Sequence, residues 1–243
     1  MRPEDLDALP IRDGIRQRGT EMTRLETFTD AAFAFAVTVL VIAGGQVPDS
    51  YAALMRSLLE IPAFAASFAV IVMFWHGHLQ WSRRYGLEDG RSILLSVLLV
   101  FVILVYVVPL KVLFGQMFAW ISQGRLGQPF PIRSASEMTD IFVVYGLGYV
   151  ATSATLALLY HHALRRAEQL RLDAGERFMT RIAIEQWVVG AIPGAISVLM
   201  AGLLPPRIGI WAGFAYTVMP ILMPVWSITA RRRARAKGLA FLG

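Results

Sequence analysis

Arg24-Leu25-Glu26-Thr27-Phe28-Thr29-Asp30 leads directly into the uncharged, largely apolar run from Ala31 to Ala43, placing an arginine and an aspartate at the mouth of an apolar helix. An ionised group at that depth is costly and must be paired or wetted. Arg24 and Asp30 are therefore candidates for a buried polar clamp that fixes helix packing, or for direct ion handling. They stand six residues apart, about 240° around a helix, so they form no local bridge and their partners must come from other helices or subunits. Other titratable candidates are weaker. His76 and His78 lie two apart and His161 and His162 are adjacent, so each pair diverges around a helix and suits no joint metal site. No nucleophile with its base, glycine-rich phosphate loop or metal-ligand cluster is recognisable, so neither enzymatic activity nor a cofactor is expected. Glu168, Asp173, Glu176 and Glu185, interspersed with arginines, read as a solvated mixed-charge face.

The elements that position these residues must be membrane helices. Of 243 residues, 56% are hydrophobic and 16% charged, and mean hydropathy is +0.55. A soluble surface needs more polar cover than that. No alternating ten-residue strands suggest a barrel, which leaves helices of about 20 residues. Six spans are predicted, roughly Leu25 to Gly44, Tyr51 to Trp81, Ser92 to Trp120, Asp140 to Leu164, Ile182 to Leu204 and Ile208 to Ala230. The second and third exceed the span length, which implies tilt or projection, and Pro62 is expected to kink the second. Pro109, Pro193, Pro220 and Pro224 predict further bends.

Zero cysteines removes disulfides, thiolate metal sites and cysteine lipidation. No cleavable signal peptide is visible before the first span, which is itself expected to start insertion. The chain divides into an N-terminal segment 1–24, a six-helix membrane domain 25–230 and a basic tail 231–243. Most of the 23 basic residues flank the first, second, fourth and fifth spans and the chain end on one side, which predicts both termini to be cytoplasmic in the plasma membrane. That distribution also accounts for the net charge of +6 without a nucleic-acid partner. The tail from Arg231 to Lys237 suits anionic lipid headgroups.

The first span carries a second pattern. Phe28, Phe35 and Ile42 are seven apart, with Thr38 and Val39 filling the intervening turn, so they form one stripe while Asp30 points elsewhere. On one helix, such a stripe is an ordinary packing seam.

Arg24, Phe28 and Asp30 match the Arg-x-x-x-Phe-Ser-Asp signature of the transmembrane protein 175 family of potassium channels, and Phe33-Ala34 and Ala36-Val37-Thr38 resemble that family's first helix. Trp75 and His78 resemble its Trp-x-x-His segment. Thr29 stands for the usual serine and keeps the hydroxyl, Leu79 for a common second histidine, and Phe35 for the isoleucine or leucine of the constriction. The resemblance implies an all-α, six-helix, homotetrameric channel permeable to K+, with Phe35, Thr38, Val39 and Ile42 of each subunit's first helix lining the pore. Four phenylalanines would narrow or occlude it. It also implies a structural polar network of Arg24, Phe28, Thr29, Asp30, Trp75 and His78, in which His78 hydrogen-bonds Arg24 or Asp30. No Thr-Val-Gly-Tyr-Gly filter occurs; Val144-Tyr-Gly-Leu-Gly-Tyr149 echoes one inside an apolar span, where small residues permit close packing. The alternative reading is a secondary transporter using Asp30, Arg24 and His78 as a proton or ion relay, although no inverted repeat is detectable.

Overall fold

In the computed structural model, which describes residues 8–12, 14–43, 47–127 and 130–236, six helical stretches are long and apolar enough to cross a membrane. The predicted end of the first span at Gly44, residues 1–7 of the N-terminal segment and the tail from Lys237 onward lie outside the described residues.

Helix α1 (Arg24–Ile42) starts where the Thr23 hydroxyl accepts from the Glu26 amide. The second predicted span divides into two. A short helix α2 (Tyr51–Leu58), capped by Ser50 and without a buried residue, is followed by α3 (Ile61–Tyr85). Pro62 therefore does not kink a long span; it lies in the first turn of α3, where its missing N–H has no helical partner to lose. Gly86, at φ 56°, closes α3 in the left-handed conformation that glycine adopts without penalty.

Helix α4 (Gly90–Ile121) is capped by Asp89 and carries Pro109 within it; α5 (Ala135–Arg165) is capped by Ser134. Helix α6 (Ala174–Leu203) starts eight residues before the predicted span. Hydropathy is blind to its polar first turns, but Asp173 and Glu176 form a reciprocal capping box that begins the helix there. The sixth stretch is broken rather than continuous: a single turn α7 (Pro206–Gly209), a 3-10 segment (Ala212–Val218) and helix α8 (Met219–Ala236). Pro206 and Pro220 fall in first turns, whereas Pro193 and Pro224 remain inside helices.

Helix α5 packs most extensively on α6 and then on α4, while α1 lies against α4 and α3. The core between them is aromatic, with Phe74, Trp81, Tyr85, Tyr106 and Tyr160 fully buried. The filter-like segment lies inside α5, where its glycines admit neighbours. A Cβ on Gly148 would stand 2.3 Å from the Tyr106 ring, and one on Gly146 would stand 2.5 Å from Val198 Cγ2.

Polar ties fix the ends of the bundle. Strands β1 (Ile11–Arg12) and β2 (Ile15–Arg16) pair antiparallel and dock the N-terminal segment on the start of α6, with Ile15 fully buried. The Arg18 guanidinium donates to both Glu176 carboxylate oxygens, at 3.0 and 2.8 Å, and to the Leu170 carbonyl at 2.9 Å. Glu176 is 1% exposed, so this member of the expected solvated face is instead the centre of a buried ion pair. At the other end of α3, Glu60 meets Lys111 of α4 at 3.2 Å. Near the start of α4, the Asp89 carboxylate accepts from the Ser92 amide at 2.9 Å and faces His162 at 2.8 Å.

Glu176→Ala strips a buried cation of its partner, so it is expected to lower stability by about 3 kcal/mol or more, whereas Arg18→Met combined with Glu176→Leu recovers much of the loss. Thermal unfolding of the detergent-solubilised protein measures both. Burial raises the Asp89 carboxyl, but the Ser92 amide and His162 outweigh it and hold the group at about 2, below the ordinary 3.8. A carboxyl lowered on folding contributes stability above its unfolded value and loses it as pH falls through the folded one. Acidification from about pH 4 to about pH 2 is therefore expected to cost wild-type stability that Asp89→Asn does not lose over the same interval.

Candidate ion pathway

The two faces of α1 have opposite environments. Glu26, Thr29, Phe33, Ala36 and Leu40, at alternating spacings of three and four, are buried. The opposite face stays open: Phe28 is 51% exposed, Phe35 58% and Ile42 67%, and Thr38 between them is exposed as well. The stripe predicted from spacing is thus the face that α1 withholds from its own bundle. Val39 lies at its edge, half-buried and packed against the core. Val41, absent from the predicted stripe, is 57% exposed. The Thr38 hydroxyl donates to the Ala34 carbonyl at 3.1 Å, so it places an oxygen on the open face without leaving its own hydrogen unbonded.

The six residues of the expected polar network do not form one cluster. Trp75 Nε1 of α3 donates to Asp30 Oδ1 at 2.8 Å, the interhelical partner that Asp30 requires. The Thr29 hydroxyl donates within its own helix, to the Leu25 and Glu26 carbonyls at 2.9 Å. His78 Nε2 lies 3.0 Å from Ser96 Oγ of α4, which corrects the expectation that it bonds Arg24 or Asp30. The reason is helical phase: His78 is three residues beyond Trp75 and its buried ring meets α4, while Trp75 reaches α1. Arg24 and Phe28 lie on the exposed side, and among the described residues Arg24 has no ion-pair partner.

Glu26 takes the role expected of Arg24. Its carboxylate is buried and stands 2.9 Å from Arg83 Nη2 at the end of α3, within ion-pair range but not aligned as a hydrogen bond. Thr23-Arg-Leu-Glu26 has the capping-box pattern and flags this acid, yet only half the box forms because the carboxylate turns to Arg83. Gly19 adds a second tie: its amide donates to the Arg83 carbonyl at 3.0 Å. Helix α3 is in turn fixed to α5 by Trp81 Nε1 donating to the Leu159 carbonyl at 2.9 Å and by the Tyr160 hydroxyl donating to the Gly77 carbonyl at 3.2 Å.

Six spanning helices and a first helix tied along one face define the class, a multi-pass helical membrane protein. The family model described as the endosomal/lysosomal potassium channel TMEM175 matches residues 24–109. A potassium channel of Marivirga tractuosa is 33% identical over 232 residues, covering 90% of this chain and 92% of that protein. The crystal structure of the T38A variant of the potassium channel MtTMEM175, bound to a nanobody fusion, superposes with a TM-score of 0.78 at 29% identity, over 93% of this chain and all of that one. A Chamaesiphon minutus homologue of the lysosomal potassium-selective channel TMEM175 shares the fold at 20% identity, with a TM-score of 0.55 over 85% of this chain and 96% of that one. The chain belongs to the TMEM175 family of potassium channels.

Trp75→Phe removes a hydrogen bond to a carboxylate and is expected to cost about 2 kcal/mol. Asp30→Asn leaves an acceptor in place and is expected to cost less; thermal unfolding of the two variants in detergent gives the order.

Proposed function

We propose that four copies of this chain assemble around a fourfold axis and conduct K+ through a pore lined by the open faces of α1. The observation that carries the reading is the exposure of Phe35, Thr38 and Ile42 on a helix whose other face is fully engaged. Membership of a family of potassium channels supplies the ion, and no Thr-Val-Gly-Tyr-Gly filter is present to select it by carbonyl coordination. Rings of Phe35 and Ile42 form hydrophobic constrictions that gate by dewetting, Val39 borders them, and Thr38 offers an oxygen between them. The channel sits in the plasma membrane with both termini in the cytoplasm, the side favoured by its basic loops. Its partners are K+, lipid and its own copies rather than nucleic acid, and it performs no enzymatic reaction and uses no cofactor. Arg24, Asp30 and His78 meet different surroundings, which gives a proton relay through all three no support.

Purified protein in planar bilayers, with K+ on one side and Na+ on the other, is expected to give unitary steps that reverse toward the K+ equilibrium potential. Phe35→Ala is expected to raise unitary conductance by about twofold or more, because it widens the narrowest apolar ring. An unchanged current removes Phe35 from the conduction path. Silence from both proteins in a tetrameric preparation rejects the channel reading.

A further inference from the structure

Where α4 begins and α5 ends, an open cavity of about 620 Å³ is lined by Asp89, Gly90, Arg91, His162, Arg165 and Arg166. Three arginines face one carboxylate, and that carboxylate is already engaged. Asp89 accepts from the Ser92 amide, stands 3.0 and 2.8 Å from His162 Nε2 through its two oxygens, and meets Arg166 Nη2 at 3.3 Å. Arg166 also donates to the side-chain amide oxygen of Gln169 (Oε1) at 2.9 Å. Among the described residues, Arg91 and Arg165 have no ion-pair partner, and the neighbouring Glu88 is not part of the lining. Gly90 leaves the mouth open, since a Cβ there would meet nothing within 4 Å.

The surface next to the cavity is apolar. Leu94, Leu98 and Phe101 follow Arg91 at helical spacing along α4, and all are exposed. On α5, Leu158 and Leu147 continue the face of Arg165, and both are half-exposed. Helices α4 and α5 pack together, so the two apolar stripes descend side by side from one cationic cavity. A free phosphate would satisfy the arginines but leave those stripes unused; a molecule with an anionic head and acyl chains matches both features.

We propose that this cavity is a headgroup site for an anionic phospholipid, with its phosphate between Arg91 and Arg165 and its acyl chains along the exposed faces of α4 and α5. None of its lining residues belongs to α1 or to the basic segment from Arg231. The test is native mass spectrometry of the full-length protein exchanged into detergent with phosphatidylglycerol, phosphatidylcholine or inorganic phosphate. The wild type is expected to retain phosphatidylglycerol in preference to phosphatidylcholine. Arg91→Gln combined with Arg165→Gln is expected to weaken that retention about twenty-five-fold, at roughly fivefold per arginine. Arg232→Gln combined with Arg235→Gln, in the last turns of α8, is expected to weaken it by about twofold or less, because that basic segment attracts lipid without belonging to the cavity lining. Gly90→Leu, which fills the mouth without touching a charge, is expected to displace the lipid and serves if the arginine variant does not fold. Equal loss in the tail variant would reduce the effect to general electrostatics and overturn the site. Retention unaffected by both Arg91→Gln/Arg165→Gln and Gly90→Leu would do the same. Binding of inorganic phosphate that prevents lipid retention would assign the cavity to a free anion instead.

Discussion

Everything in this molecule depends on α1 being held by one face only. Phe33, Ala36 and Leu40 bury that face in the bundle, Trp75 ties it through Asp30, and Arg83 meets Glu26 where the helix begins. A helix gripped all round would present no open face, and a helix gripped nowhere could not hold its side chains in a fixed orientation. The polar ties supply direction as well as adhesion. Each joins α1 to α3, and α3 is bonded to α5 by Trp81 and Tyr160, so the orientation of the open face follows from the core.

The N-terminal segment belongs to the same arrangement. Its hairpin and Arg18 seat it on the start of α6, and Gly19 joins it to the end of α3 immediately before α1 begins. A bidentate guanidinium pair of this kind is sheltered from solvent, and its value lies in geometry more than in net energy. It fixes where the chain enters the first span.

The sequence was most legible where a single physical signal dominates. Long apolar runs set the number of spans, because nothing else satisfies backbone groups in lipid. The heptad spacing of Phe28, Phe35 and Ile42 identified the open face of α1, and the family motif identified Asp30 and Trp75. Legibility failed where polar contacts override hydropathy. Glu176 looked like one acid among several on a solvated face, because its partner Arg18 lies 158 residues away in a segment with no apolar signal. The true start of α6 escaped for the same reason, hidden in polar capping turns. The motif marks His78 but not its neighbour Ser96, since which helix a buried ring faces depends on three-dimensional phase that one chain's spacing does not contain.

The interrupted sixth stretch has a consequence for membrane thickness. A 3-10 segment rises about 2.0 Å per residue against 1.5 Å for an α-helix. The seven residues from Ala212 to Val218 therefore reach about 3.5 Å further than the same residues in an α-helix. Conversion between the two forms would let this stretch lengthen or shorten without tilting, about Tyr216, whose ring packs edge-on against Tyr145 and Tyr149 of α5.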